Sequence, residues 1–458
     1  MRGFVFGGVQ KNEYIELIKM FLRPSEFSVN DAADGAPCAL RIELPAALTG
    51  AECRDKDAVK RFLYDRLSAL TGKSLAWGIL TGIRPVKLFG ELVEKAGGDE
   101  VCARRRFRDE YYVSEAKTEL TARVYARQRA LVAPPAEGTV GLYIGIPFCP
   151  TRCGYCSFTA GPVPYARVGA YLAALRREMD FVAAGMARKG LCAETIYIGG
   201  GTPTFLNETD FDELLACVRR RFAGAGTEEF TVEAGRPDTI TAEKLRAMRR
   251  HGANRVSINP QSMNDATLAR IGRDHGAKAV RAAFRLAREV GALRINADLI
   301  AGLPGEDEAD FTRSLSALLD LAPENVTIHA LAVKRAARLR EEDAEYSYTR
   351  AEQAAGMLRA AAEALAGASY APYYLYRQKQ TVGNLENTGY ARDGKPGLYN
   401  VRIMEERQTI VALGAGASTK LYVPRENRLT RAFNVSDYGI YTERLEEMLA
   451  RKQRLLFE

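Results

Sequence analysis

The stretch Tyr143-Ile144-Gly145-Ile146-Pro147-Phe148-Cys149-Pro150-Thr151-Arg152-Cys153-Gly154-Tyr155-Cys156-Ser157-Phe158 decides how this chain is read. A short apolar run ends at Pro147, and three cysteines, Cys149, Cys153 and Cys156, follow at once. Structural zinc takes four protein ligands, so three thiolates on one short loop leave such a site incomplete. Catalytic zinc favours His, and the chain has 3 His in all, none of them in this loop. A four-iron, four-sulfur cluster ordinarily takes four cysteines, so a loop of three leaves one iron open to another ligand. Iron is the better fit, because the zinc and disulfide readings each need a partner the loop lacks.

Outward from this loop, short apolar runs alternate with helical stretches from Val140 to about Leu331. The runs are Leu142–Ile146, Thr195–Ile198, Phe230–Glu233, Arg255–Ile258, Ile295–Ile300 and Val326–Leu331. In the first intervening segment Tyr165, Val168, Leu172, Leu175, Met179, Val182 and Met186 are spaced by threes and fours, the pattern of one helix face. Strands each followed by a helix predict a parallel sheet with right-handed crossovers, here a partial (β/α)6 TIM-like barrel of the α/β class. Chemistry in such barrels sits at the C-terminal ends of the strands.

The polar motifs fall there. Gly199-Gly200-Gly201-Thr202-Pro203-Thr204 follows the second run, where glycine allows close backbone approach to a ligand or simply a tight turn. Glu233 ends the third run and could meet ribose hydroxyls or an ammonium group; a surface acid is the plainer reading. Asn259-Pro260-Gln261-Ser262 follows the fourth, with Arg273 twelve residues beyond Gln261. Asp298 lies inside the fifth run, where an ionised group needs a partner. Four polar groups recurring at one end of successive strands point to a site more strongly than any one of them.

The pair Pro134-Pro135 with Gly138 predicts a boundary, and the expected organisation is residues 1–137, 138–340 and 341–458. The first unit reads as a small α+β domain, with helical segments near 11–23, 55–71 and 114–131 and an apolar run from Cys38 to Leu44. Its distinctive sequence, Trp77-Gly78-Ile79-Leu80-Thr81-Gly82-Ile83-Arg84-Pro85-Val86-Lys87, reads as a loop that either offers Arg84 and Lys87 to an anion or packs the chain's 1 Trp into the domain. The last unit reads as an α+β extension.

No segment approaches the roughly 20 apolar residues of a membrane span, and Met1–Glu16 lacks a signal-peptide pattern, so a cytoplasmic protein is expected. The net charge of +8 is spread along the chain and fits an anionic small substrate or a reductant protein as well as nucleic acid, which stays open for the N-terminal unit. The widely spaced Cys38, Cys53, Cys102, Cys192 and Cys217 read as ordinary reduced thiols.

The CxxxCxxC loop after a strand resembles the radical S-adenosylmethionine (radical SAM) superfamily. That resemblance implies a [4Fe-4S] cluster on Cys149, Cys153 and Cys156, S-adenosylmethionine chelated by the open iron, and a 5′-deoxyadenosyl radical formed by one-electron cleavage. The order of the motifs over residues 140–340 is similar to the oxygen-independent coproporphyrinogen III oxidase group of that superfamily. By that likeness Tyr143, Tyr155, Gly200, Gly201, Thr202, Glu233, Gln261, Arg273, Asp298 and Ala332 contact S-adenosylmethionine, with Arg273 at the methionine carboxylate. Tyr143, Glu233 and Arg273 are then the candidate catalytic set. The runs Tyr376-Arg377-Gln378-Lys379, Gly383–Tyr390 and Leu413-Gly414-Ala415-Gly416-Ala417, with TGIRPVK, resemble the coproporphyrinogen dehydrogenase branch.

This implies oxidative decarboxylation of coproporphyrinogen III propionates to vinyl groups, giving protoporphyrinogen IX in haem biosynthesis, with an electron donor such as flavodoxin or ferredoxin and a monomeric enzyme. Lys334, Arg335, Arg377, Gln378 and Lys379 are the candidate substrate residues, since arginine suits bidentate carboxylate binding. Ser157 and Phe158 follow Cys156, as in the family's haem-trafficking relatives, where the best-characterised oxidases, with CxxxCxxCxC, carry a fourth cysteine. A haem-binding and transfer protein on the same barrel, with His329 as its inward axial ligand, is therefore the alternative, and a radical enzyme acting on haem or RNA is a third. His251, near a helix end, and His275, in a loop, are not candidates for that ligand.

Overall fold

The computed structural model describes residues 3–7, 12–29, 38–49, 55–82, 84–156, 160–333, 339, 341, 343 and 345–458. The N-terminal part opens with a three-stranded parallel sheet of β1 (Gly3–Gly7), β2 (Phe27–Val29) and β3 (Cys38–Glu43), in the order β2-β1-β3. Helices Asn12–Phe21 and Lys56–Thr71 bury Leu17, Ile18 and Phe21 against Val59, Leu63 and Leu67. The second of these is delimited by its own sequence: Asp55 accepts from the backbone N–H of Asp57 and Ala58, and Gly72 ends it at φ 67°.

The TGIRPVK reading needs correction. Pro85 is the first residue of a helix, Pro85–Lys95, where its missing N–H costs nothing, so only the segment before it is loop. Trp77 is buried and donates Nε1 to Glu386 at 2.9 Å, while Arg84 and Lys87 lie 3.0 and 3.3 Å from the Glu406 carboxylate. The Trp is thus packed, and the cations face an acid of the chain itself.

The six apolar runs form β4 (Thr139–Ile146), β5 (Cys192–Gly200), β6 (Glu229–Glu233), β7 (Arg255–Ser257), β8 (Arg294–Ala301) and β9 (Asn325–Ala330), parallel and adjacent in chain order. Their near-continuous burial is what a parallel sheet covered on both faces requires. Helices follow them, the first being Val168–Arg188, whose buried face holds Leu172, Leu175, Met179, Val182 and Met186. Tyr165 precedes that helix in a 3-10 turn and donates to Asp210 at 2.6 Å instead of joining its face.

Residues after 341 extend this sheet at both edges. Strands β10 (Ala371–Arg377) and β11 (Glu386–Ala391) add antiparallel beyond β9; β12 (Ile410–Leu413) adds parallel to β4, followed by β13 (Ser418–Val423) and β14 (Arg428–Phe433). Gly414 sits at φ 91°, and a Cβ there would meet Gly145 O at 2.5 Å, which accounts for that glycine of the LGAGA run by backbone contact.

Helix Leu398–Glu405 closes the base of the barrel. Glu229, the first residue of β6, accepts from the N–H of Leu398 at 2.8 Å and of Tyr399 at 3.3 Å, holding the start of that helix. Arg402 makes a bidentate pair with Glu194 at 2.8 and 2.6 Å, and Tyr399 stacks on Tyr197 with centroids 4.6 Å apart. Among the described residues no helix is long and apolar enough to cross a membrane.

Candidate active site

A cavity of about 400 Å³ opens at the C-terminal ends of β4 to β9. One wall is the cysteine loop. Phe148 pairs with Gly161 as an isolated bridge, Cys149 N donates to Gly161 O at 3.1 Å, and Gly154 N donates to Ile271 O at 3.0 Å, so the loop is pinned at both shoulders. Cys149, Cys153 and Cys156 are half-buried cysteines that line the cavity. Burial pushes the Cys149 thiol up to about 11, against a hydrogen bond from Thr202 Oγ1 at 3.4 Å.

The glycine run after β5 carries the loop. Gly201 N donates to Ile146 O at 2.8 Å and Thr202 N to Phe148 O at 2.7 Å. A Cβ on Gly201 would stand 2.5 Å from Phe148 O, so only glycine lets these backbones touch. Gly200 sits at φ 109° with Tyr143 Oη 3.3 Å from where its Cβ would be.

Behind the loop, Arg273 is buried and donates from Nη1 to Gly235 O at 2.7 Å and Asn259 O at 3.0 Å, and from Nη2 to Tyr155 Oη at 3.1 Å. Among the described residues its Nε has no hydrogen-bond partner, nor have Gln261 Oε1 and Asn259 Oδ1, all three buried. Gln261 adopts φ 69° and bridges back to β8 through Asp298 O at 2.9 Å and Ile300 N at 3.0 Å. A left-handed conformation at a non-glycine residue costs on the order of 1–3 kcal/mol and persists only where its surroundings over-determine it.

Glu233 accepts from Tyr197 Oη at 2.5 Å and Gly200 N at 3.3 Å. Burial raises its carboxyl to about 7, reinforced by the charge of Asp298 and opposed by those two donors. His329 Nε2 stands 3.4 Å from Asp298 Oδ2, and His329 Nδ1 stands 3.3 Å from Tyr376 Oη. The far wall comes from the added strands: Tyr374 and Tyr376 of β10, Gln378 just beyond it, and Asn387 of β11, whose Nδ2 is buried without a partner.

The structure therefore brings together Tyr155, Gly200, Gly201, Thr202, Glu233, Gln261, Arg273, Asp298, Ala332 and Gln378 with the three cysteines. Tyr143 lies behind Tyr197, which it stacks on at 6.2 Å, and does not line the cavity. Arg377 also points elsewhere. Strand residues alternate, so Tyr374 and Tyr376 face the cavity while Arg377 turns to the N-terminal part, buried, donating to Leu80 O at 2.5 Å and Asn384 O at 3.1 Å over the Trp77 ring. Lys379 is exposed and lines no part of the cavity. Lys334 and Arg335, like Ser157, lie outside the described residues. Asn387 and Arg236 were not anticipated, whereas Tyr374 and Tyr376 stand where an aromatic wall was expected. Arg236 is buried against Asp238 at 3.0 and 3.1 Å and Thr151 at 2.8 Å, and the signal for it was its place three residues after Glu233 at the end of β6.

Residues 143–318 match the model of the radical SAM superfamily. Over 406 residues, 88% of this chain and 81% of the relative, the sequence is 39% identical to the oxygen-independent coproporphyrinogen-III oxidase-like protein HemZ of Bacillus subtilis (strain 168). The heme chaperone HemW of the same organism is 38% identical over 42% of this chain and 50% of its own length. The fold is that of the radical SAM coproporphyrinogen III oxidase HemN from Escherichia coli, with a TM-score of 0.57 and 23% identity over 71% of this chain and 73% of that one. The chain belongs to the radical SAM superfamily, in its HemZ-like group of oxygen-independent coproporphyrinogen III oxidase-like proteins. It is a radical SAM oxidoreductase whose cofactors are a [4Fe-4S] cluster and S-adenosylmethionine. Among the described residues no three His, Cys, Asp or Glu side chains converge on one metal ion, whereas a cluster asks the loop only for separate thiolate ligands.

Proposed function

We propose that this enzyme decarboxylates propionate side chains of coproporphyrinogen III to vinyl groups without oxygen. The observation that carries this reading is the two-sided cavity. The cysteine loop and the strand-end carboxylates form one wall, and an aromatic and amide wall of Tyr374, Tyr376, Gln378 and Asn387 faces it, suited to a flat ring. When bound, the cluster and S-adenosylmethionine would supply a radical for hydrogen-atom abstraction from a propionate β-carbon; decarboxylation to the vinyl group then releases carbon dioxide and passes one electron to a separate one-electron acceptor.

Cys149, Cys153 and Cys156 hold the cluster in this reading, and Gly200, Gly201 and Thr202 fix the loop that carries them. Tyr155, Glu233, Gln261, Asp298 and Ala332 bind the S-adenosylmethionine. Arg273 orients Tyr155 and two strand-end carbonyls, keeping Nε as the donor left for the methionine carboxylate. Tyr143 supports Gly200 from behind. The described cations lining the cavity are Arg152, Arg236 and Arg273, so the substrate carboxylates meet positive charge on the cysteine-loop side. A reduced flavodoxin or ferredoxin is the electron source the reaction needs.

The haem-carrier reading finds less support, because both ring nitrogens of His329 face polar partners, Asp298 and Tyr376. The test is anaerobic incubation of the reconstituted enzyme with S-adenosylmethionine, a reductant and coproporphyrinogen III, followed by mass analysis. Stoichiometric 5′-deoxyadenosine with vinyl products is expected; deoxyadenosine that forms without regard to coproporphyrinogen, and no vinyl product, refutes the reading.

A further inference from the structure

The two walls of the cavity are joined by one polar chain. Gln378 Nε2 donates to Tyr376 Oη at 3.2 Å, and Tyr376 Oη lies 3.3 Å from His329 Nδ1. Because the phenol oxygen accepts from Gln378, its own proton is free to go to Nδ1. With Nδ1 as the acceptor, the neutral imidazole carries its proton on Nε2, which stands at an ion-pair distance of 3.4 Å from Asp298 Oδ2. In that tautomer the contacts run one way, from the rim of the aromatic wall to the Asp298 carboxylate. Asp298 in turn raises the Glu233 carboxyl, so the last link acts on both strand-end acids.

We infer that Gln378, Tyr376 and His329 form a positioning relay that couples ring binding on the aromatic wall to S-adenosylmethionine binding at Asp298. The inference rests on the reading above. A ring seated on Tyr376 engages the Gln378 amide, whose second N–H is not used in the chain, and holds it against the phenol. The phenol proton is then committed to Nδ1, the imidazole can turn neither its tautomer nor its plane, and Asp298 is held in one orientation before the cofactor arrives. Part of the ordering cost of the second ligand has been met by the first. Linkage makes the effect reciprocal, so each ligand tightens the other by the same factor. The relay is built from side chains of β9, β10 and the loop beyond, none of them a cluster ligand.

The test is equilibrium binding of S-adenosylmethionine to the cluster-loaded enzyme, anaerobic and without reductant so that no turnover occurs, with and without coproporphyrinogen III. In the wild type the ratio of the two dissociation constants is expected to be at least about fivefold, the lower end of typical couplings. Tyr376→Phe, which keeps the ring and removes the hydroxyl, and His329→Leu should bring the ratio close to one. His329→Gln should restore it, because the amide oxygen can accept from Tyr376 and the nitrogen can donate to Asp298. Cluster absorbance and thermal melting confirm that each variant is folded, and Gln378→Ala, at the cavity rim, gives a second break in the chain. Coproporphyrinogen binding, followed separately by equilibrium dialysis, divides the failures. No binding removes the substrate reading and the relay with it. Binding with a wild-type ratio of one, or a ratio that survives in Tyr376→Phe and His329→Leu, overturns the relay alone.

Discussion

The base and the mouth of the barrel treat buried charged and amide groups differently. At the base, Arg255 opens β7 and spends its guanidinium on Asn296 Oδ1 at 2.8 Å, Pro396 O at 2.8 Å, Glu229 Oε2 at 3.2 Å and Asn325, while Arg402 pairs with Glu194. The charges there are answered from within the chain. At the mouth, Asn259 Oδ1, Gln261 Oε1, Arg273 Nε and Asn387 Nδ2 are buried with no hydrogen-bond partner among the described residues, and Gln261 is held at φ 69°. Unsatisfied buried groups cost about 1–3 kcal/mol each; Thr195 Oγ1, Arg255 Nε and Gln408 Oε1 at the base also lack a hydrogen bond among the described residues, so it is the convergence of four such groups on one cavity that marks where a ligand completes the structure. The difference separates residues that hold the fold from residues that wait for chemistry.

The comparison breaks most sharply at the cysteine loop. Cys153→Ala is expected to abolish cluster loading while the fold persists, read by iron and sulfide analysis against about four of each in the wild type. A full cluster in the variant would end the assignment.

The base should respond in the other sense. Glu194→Gln leaves Arg402 buried beside a neutral amide and is expected to cost about 3–5 kcal/mol in denaturant unfolding, because the pair is 6% and 3% exposed. If stability hardly changes, the base is not the stabilising end. Arg377→Ala is a middle case. It should lower stability by about 1.5–3 kcal/mol through its two carbonyl bonds, with porphyrinogen affinity unaffected. Lost affinity at unchanged stability would return Arg377 to the substrate.

The smallest effect concerns Glu233. Its carboxyl, raised from 4.5 to about 7, keeps a proton in the folded enzyme that the unfolded chain has already lost. Folding therefore binds protons between those values, and stability before cofactor loading falls as pH rises from about 4.5 to 7. Glu233→Gln removes that slope. The variant should melt with the wild type near pH 5 and a few degrees above it at pH 8; equal melting at both would show that the acid is not held neutral.

Much of this was legible in the sequence because it is local. Six buried strands announce themselves as apolar runs, Asp55 and Gly72 mark helix ends, and the cysteine spacing names its own chemistry within one loop. The strand-end residues Glu233, Gln261 and Asp298 followed from a rule of barrel topology, which needs only the order of elements. The sequence by itself thus determined the barrel, the cluster loop and most of the cofactor side. Only the tertiary structure decided the substrate side, since it depends on which way strands from beyond residue 341 turn when they join the sheet. The two-residue period sends Tyr376 into the cavity and Arg377 away from it, and nothing in Tyr376-Arg377-Gln378-Lys379 tells which face is which until β10 pairs with β11 and β11 with β9. Arg84 and Lys87 met Glu406, 319 residues beyond Lys87, for the same reason: a charge finds its partner through the fold, and spacing along the chain carries no record of it.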